Sequence, residues 1–504
     1  MLRILVLFVA PLPAMLVTAT ETDRACRDLY RLTDVSHAVE PGVLVEATDS
    51  IPAHCRVRGV INRAIRFEVT MPTEAWNGRM MFSTVGGGAG VLGDTSSLLS
   101  KGFAMATTDT GHEQDVTDFT AYMRHPEALI DWAYRGVHLA TQSARKVIAQ
   151  YYDREVEYAY FQGCSGAGRL ALMEATRFPE DYDGIIAGAP MFSMKENAPR
   201  ILGHARMQHA NPLTEESLQL LDVASRRACD SLDGVTDGVI DDPRKCTQEL
   251  FDLDALVCKS SQDSGCLTPG QIETARSIYS DVFDADGKVV SPGILPGAES
   301  STLYDWRSFL LQHQIIIAAY NETIDTMVRH DPDFDDPDFR VERFDTIADR
   351  HLLVSFASVV DVDSADLGEF AGRGGKLLMY QGWNDYALPP QRAVEYLDEV
   401  ELANGGAEMT TRFFRLFMVP GMGHCLSGPG AWQADYVEAI VQWREKGIAP
   451  ERIVGTRPTE GVDERAAGEE GTSFSRPLCP YPKFAKYRGR GDVRSERNFD
   501  CTED

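Results

Sequence analysis

The chain has 504 residues, 43% hydrophobic and 25% charged, an ordinary globular composition whose length exceeds what one core serves without a second domain or a large insertion. Asp and Glu number 76 against 49 Lys and Arg, a formal charge of −27. Such a surface repels polyanions and anionic bilayers, which excludes nucleic acid and membrane as partners.

In chain order, Met1-Leu2-Arg3 gives a positive start, residues 4–16 form an apolar run broken by Pro11 and Pro13, and Val17-Thr18-Ala19 has the small-residue pattern of a cleavage site. Residues 1–19 read as a secretory signal rather than an anchor, because a spanning helix needs about 20 apolar residues. The ten cysteines agree with export. Their spacing does not fix connectivity, but locality pairs Cys26 with Cys55, Cys229 with Cys246, Cys258 with Cys266 and Cys479 with Cys501, which leaves Cys164 with Cys425. Zinc binding is the competing reading, against which no paired Cys-x-x-Cys spacing occurs. One glycosylation sequon, Asn321-Glu322-Thr323, leans toward a bacterial protein. The expected location is secreted or periplasmic.

Short apolar runs at 80–85, 103–107, 158–162, 184–187, 376–380 and 412–419 read as buried strands. Helical spacing covers 127–151, and a second helix runs over 169–178, stopped by Pro179. Strands alternating with helices predict an α/β fold with a mostly parallel sheet. Between 191 and 372 the alternation fades, and aspartates, prolines and local cysteine pairs become frequent. The predicted layout is a core in two parts, 20–191 and 372–504, around an inserted lid at 192–371. The stretch from 466 onward reads as polar and loop-rich.

The chemistry concentrates in Gly163-Cys164-Ser165-Gly166-Ala167-Gly168 and Pro420-Gly421-Met422-Gly423-His424-Cys425. If Cys164 and Cys425 are bonded, their Cα atoms lie roughly 4.4–6.8 Å apart, and Ser165 and His424 become neighbours, a nucleophile beside its general base. Ser165 follows a strand and precedes a helix, as at a nucleophile elbow. The usual Gly-x-Ser-x-Gly has Ala167 at its last position, and a structural Gly-Ser turn is the bland alternative. Asp385, in Gly382-Trp383-Asn384-Asp385 after a late buried strand, is the expected acid; an ordinary polar turn is its alternative. The chain order Ser, Asp, His is that of α/β-hydrolases. Oxyanion donors are expected from the amide of Gly166 and from Gly87 or Gly88 in the Gly86-Gly87-Gly88 turn. Leu388, just past the acid, is the candidate pocket residue. Asp109 and His112 are read as structural.

A second cluster runs from Cys229 to Ile240. Side chains of Asp230, Asp233 and Asp237 and carbonyls of Val235 and Val239 would suit calcium, which takes six to eight oxygen ligands. The spacing is not that of an EF-hand, and the residues alone leave a metal loop and a plain Asp-Gly turn both open.

These motifs, with Thr107-Thr108-Asp109-Thr110-Gly111-His112 and Arg476-Pro477-Leu478-Cys479-Pro480-Tyr481-Pro482, resemble the tannase and feruloyl esterase family, which also includes bacterial hydrolases of terephthalate monoesters. The resemblance spans the chain after its N-terminal segment. It implies an α/β-hydrolase core with an inserted lid, a Ser165–Asp385–His424 triad above a Cys164–Cys425 bridge, and structural calcium at Asp230, Asp233, Val235, Asp237 and Val239. The expected activity is a serine carboxylesterase acting on small esters of aromatic acids such as ferulate or gallate. The alternatives are a general aryl or terephthalate-monoester carboxylesterase, a lyase or decarboxylase on the same fold, and a silent calcium-binding recognition protein.

Overall fold

The computed structural model describes residues 21–114, 118, 120–260, 264–300, 305–458 and 474–503; the expected signal at 1–19 lies outside them. Runs rich in β-branched, aromatic and methionine side chains form the strands β1 (His37–Val39), β2 (Val43–Val45), β3 (His54–Ile61), β4 (Ile65–Pro72), β5 (Arg79–Ser83), β6 (Ala104–Thr108), β7 (Tyr158–Cys164) and β8 (Gly184–Gly188). With the later strands Lys376–Gly382 and Phe414–Val419 they make one ten-stranded sheet.

Its order is β1-β3-β4-β6-β5-β7-β8, then Lys376–Gly382 and Phe414–Val419, with β2 on β3. From β6 to the last strand every pairing is parallel. The pairings among β1 to β4, and of β4 with β6, are antiparallel. The sheet is therefore mostly parallel and belongs to the α/β class. The four N-terminal strands are additional to the six read from the sequence. In β3 the buried Cys55, Val57, Gly59 and Ile61 alternate with Arg56, Arg58 and Val60, a half-solvated period-two pattern rather than a continuous apolar run.

Side chains of β5 show how the sheet is covered. Met80 and Phe82 join a core with Val137, Ala140, Ala144 and Val147 of the helix Gly136–Tyr152 and Leu170 and Leu172 of the helix Gly166–Arg177. Met81 points to the other face, where Ile440, Val441 and Trp443 of the helix Tyr436–Lys446 close the layer.

The helix expected over 127–151 is interrupted: Pro126–Ile130 leads into one π-turn, Asp131–Arg135, before Gly136–Tyr152 begins. That turn frees carbonyls, and the fully buried Arg169 guanidinium takes them. It donates to Trp132 O at 3.1 Å, Ala133 O at 2.7 Å and Val360 O at 3.2 Å. Burial lowers its pKa to about 10. One side chain thus joins the helix after Ser165, the π-turn and the segment beyond β8.

Between β8 and Lys376 the chain is mainly helical, including Met194–Ala210, Glu215–Cys229, Pro269–Tyr279 and His313–Val328. Its apolar side chains gather in two clusters. One holds Met327, Phe344 and Phe356 and takes in Ala387 and Leu388; the other holds Leu221, Ile278 and Trp306 and takes in Tyr386. Both therefore close over the residues just after Asp385. Of the stretch from 466 onward, expected to be loop-rich, residues 474–503 are described, and short ribbons stand among their loops. Phe474–Leu478 pairs with Ile453–Arg457, and Phe484–Tyr487 with Phe499–Thr502. Four- and five-residue ribbons carry too little periodicity to stand out in a polar sequence. All ten cysteines are bonded, as 26–55, 164–425, 229–246, 258–266 and 479–501. Among the described residues no helix is long and apolar enough to cross a membrane.

Candidate active site

Strand β7 ends at Cys164, and the helix Gly166–Arg177 starts one residue after Ser165. Ser165 makes the turn at φ 64°, ψ −122°, a strained conformation for a residue with a Cβ. Its backbone is held from both sides: its N–H donates to Gly188 O at 2.9 Å, and its carbonyl accepts from Arg169 N at 2.9 Å and Met191 N at 3.2 Å. The small neighbours have a steric cause. A Cβ on Gly163 would lie 2.6 Å from Ala167 Cβ, and one on Gly168 2.3 Å from Gly188 O. The Ala167 methyl fits because position 163 has no side chain, so this departure from Gly-x-Ser-x-Gly leaves the elbow intact.

Asp385 lies just past the strand Lys376–Gly382 and is fully buried. Its Oδ1 accepts from Leu388 N at 2.9 Å, and its Oδ2 from Gln381 Nε2 at 2.9 Å. His424 Nδ1 reaches the same Oδ2 at 2.8 Å, which leaves Nε2 as the nitrogen for proton transfer. The two loops meet backbone to backbone: a Cβ on Gly382 would lie 2.3 Å from Met422 O and 2.5 Å from Gly423 O. The Cys164–Cys425 bond, with Cα atoms 6.1 Å apart, ties the histidine loop to the elbow.

The glycine turn after β5 packs on that elbow. A Cβ on Gly86 would lie 3.3 Å from Ser165 Cβ, and one on Gly166 would lie 3.2 Å from Gly87 N. Gly87 thus sits beside the residue after Ser165. Gly88 turns away, its carbonyl contacting His112 Nε2 at 2.8 Å. Burial lowers the His112 pKa, so the ring is neutral and donates to that carbonyl. Asp109 accepts from Arg66 N at 3.0 Å and Gly111 N at 2.9 Å and pairs with Arg66 Nε at 2.6 Å. Its carboxylate joins the end of β6 to β4. Leu388 is buried and lines a cavity of about 30 Å³ with Phe192, Glu196 and Pro389, room for about one water.

In the acidic loop, Asp230 Oδ1 and Oδ2 accept from Asp237 N and Gly238 N at 3.2 and 3.0 Å. Asp233 and Asp237 accept from Val235 N and Val239 N at 2.9 and 3.1 Å, and Arg476 pairs with Asp237. Burial lifts Asp233 to about 6 and also raises Asp237. Asp241, absent from the sequence reading, is buried with Oδ2 lacking a hydrogen-bond partner. Crowded, desolvated carboxylates with an orphan oxygen are a hard-oxygen donor set that suits a divalent cation such as calcium.

A mostly parallel sheet covered on both faces, with a strained serine between strand and helix, defines an α/β-hydrolase. The chain belongs to the tannase and feruloyl esterase family, whose pattern it matches over residues 50–502. It is 32% identical to an uncharacterized esterase of Xanthomonas campestris pv. campestris, over 100% of this chain and 95% of that one. It is 31% identical to the mono(2-hydroxyethyl) terephthalate hydrolase of Piscinibacter sakaiensis, over 90% and 85%. A probable feruloyl esterase B-2 of Aspergillus fumigatus is 27% identical over 89% and 86%. The crystal structure of feruloyl esterase B from Aspergillus oryzae shares the fold, with TM-score 0.80 and 23% identity over 95% of this chain and 100% of that one. The protein is a carboxylic ester hydrolase of the feruloyl esterase and tannase type, and its substrates are small-molecule esters.

Proposed function

We propose that this is a secreted serine esterase cleaving esters of aromatic, phenolic acids such as ferulate or gallate through an acyl-enzyme. The observation that carries the reading is the 2.8 Å contact between His424 and the buried Asp385, on a loop bonded through Cys425 to the elbow of Ser165. Ser165 Oγ attacks the ester carbonyl while His424 Nε2 takes its proton. The oxyanion accepts from the amide of Gly166 and from one in the glycine turn, with Gly87 favoured over Gly88 by its place beside the elbow. The tetrahedral intermediate collapses, the C–O bond breaks, and the alcohol leaves with the proton from His424. Water, deprotonated by His424, then attacks the acyl-Ser165 ester, and the acid departs as Ser165 regains its proton.

In this reading the core comprises 20–191 and 372–504, and the insertion 192–371 is a lid over the acyl group. Five disulfides support export. Calcium would be held by Asp230, Asp233 and Asp237 and the carbonyls of Val235 and Val239, with Asp241 as a further oxygen donor. It would supply charge neutralisation that fixes the lid loop. Chelation should therefore lower Tm by several degrees, calcium should restore it, and Asp241→Asn should shrink the shift. An unchanged Tm on chelation argues against the ion.

The substrate test compares methyl ferulate, methyl gallate, a terephthalate monoester and a simple aryl acetate under one set of conditions. The aromatic-acid reading expects higher kcat/KM on ferulate or gallate than on the terephthalate monoester or a simple aryl acetate. Equal rates on all four would indicate a general aryl esterase, and no turnover by folded protein a recognition protein.

The bridge itself is testable. Cys164→Ala with Cys425→Ala opens a cross-link between residues 261 apart in sequence, worth about 5.6 kcal/mol in the chain-entropy account. At a temperature where the variant remains folded, kcat should still fall by about 10²-fold, because a displacement of about 1 Å between nucleophile and base costs that much. Unchanged turnover in the folded variant would refute the positioning role.

A further inference from the structure

We propose that His138, Glu174 and Asp181 form a divalent-cation site for a zinc- or manganese-class ion, separate from the esterase centre and from the acidic lid loop. His138 lies on the helix Gly136–Tyr152, Glu174 on the helix Gly166–Arg177, and Asp181 in the turn before β8. One ligand atom from each falls within 4.8 Å of the others.

The second observation is Glu174 itself. It is fully buried; its carboxyl faces that of Asp181, and neither of its oxygens has a donor on any other group. Two desolvated carboxyls set face to face stand uncompensated unless a proton or a cation answers them. The charged and titratable neighbours do not. Arg145 Nη2 is directed at the backbone carbonyl of Asp181 at 2.5 Å, Tyr182 bonds Thr141, and Glu180 adds negative charge. A proton shared by the two carboxyls would satisfy one Glu174 oxygen at most. A divalent ion neutralises both carboxylates at once.

The imidazole completes the group. His138 Nδ1 lies 2.7 Å from Asp181 Oδ2, and the ring stacks on Phe178 at 3.8 Å. Gln142 Nε2 donates to His138 Nε2 at 2.9 Å, so Nδ1 carries the proton directed at Asp181, and an ion would displace that proton to take Nδ1 as its ligand. One imidazole and two carboxylates favour zinc, manganese or cobalt over calcium. Nine residues of helix place Glu174 roughly 13 Å from Ser165, so the ion would fasten two helices to each other and stand outside the chemistry.

The test uses the full chain, stripped with chelator and returned to excess calcium, then titrated with cobalt and followed by visible absorption and metal analysis. The wild type should take up one Co2+ per chain, displaced by Zn2+. Glu174→Gln and His138→Gln should each weaken uptake by at least about tenfold, with hydrolysis of a p-nitrophenyl ester unchanged. Should Glu174→Gln fail to fold, the less deeply buried His138 carries the test, with the added readout that Zn2+ raises Tm in wild type only. No cobalt uptake by wild type would mean the two carboxyls share a proton, and uptake unaltered in both variants would mean adventitious surface binding. Either result overturns the site.

Discussion

Ser165→Ala should lower kcat on a p-nitrophenyl ester by roughly 10⁴–10⁶-fold, with KM and Tm close to wild type. The stability expectation follows from what holds the elbow. The bonds from Ser165 N to Gly188 O and from Arg169 N and Met191 N to Ser165 O are all backbone, and alanine keeps them. The Cβ that strains the turn at φ 64° is also retained. What is lost is the one oxygen able to form the acyl bond. Residual rate would come from the oxyanion donors and binding alone. The double variant Ser165→Ala/His424→Ala should therefore be hardly slower than the single one, since a base without a nucleophile does nothing. Retention of more than about a tenth of wild-type turnover in the single variant would remove Ser165 from the mechanism.

What could be read without coordinates follows from periodicity and position. The inner strands are buried on both faces, so β8, with five buried residues in a row, appears in the sequence as an unbroken apolar run. The candidate catalytic side chains follow such strands, which is why Ser165, Asp385 and His424 stand out in the sequence. Strands β1 to β4 did not: β1 and β2 are three residues long, β3 alternates buried residues with Arg56 and Arg58, and β4, though buried at all but Arg66, is interrupted by Arg66, Glu68 and Thr70, so none shows an unbroken apolar run. The helix after the elbow begins at Gly166 rather than 169 because backbone packing on Gly188 O overrides the low helix propensity of two glycines. Burial of a polar side chain has no period at all. Arg169, Glu174 and Asp241 look like any of the chain's 49 basic and 76 acidic residues, and only tertiary structure sets them apart. Gln381 was hidden for the same reason, although it grips the acid.

Asp385→Asn should lower kcat by about 10⁴-fold while leaving the fold in place. The wild-type carboxylate accepts three hydrogen bonds: Leu388 N on Oδ1, and Gln381 Nε2 with His424 Nδ1 on Oδ2. An amide has one oxygen. If it stays toward the fixed backbone N–H of Leu388, the new NH₂ faces His424, and the ring can pair with it only by offering the Nδ1 lone pair. The proton then sits on Nε2, the nitrogen that must accept from Ser165. If the amide flips, the NH₂ opposes Leu388 N–H in a site with no exposure to water, an arrangement costing about 1–3 kcal/mol. The loss should therefore fall on kcat, and on both acylation and deacylation, because the same tautomer serves each step. Gln381→Leu separates holding from charge: it keeps the carboxylate and removes one donor, so its effect should be well below that of Asp385→Asn. A rate for Asp385→Asn within about tenfold of wild type, at unchanged Tm, would show that another acid orients His424.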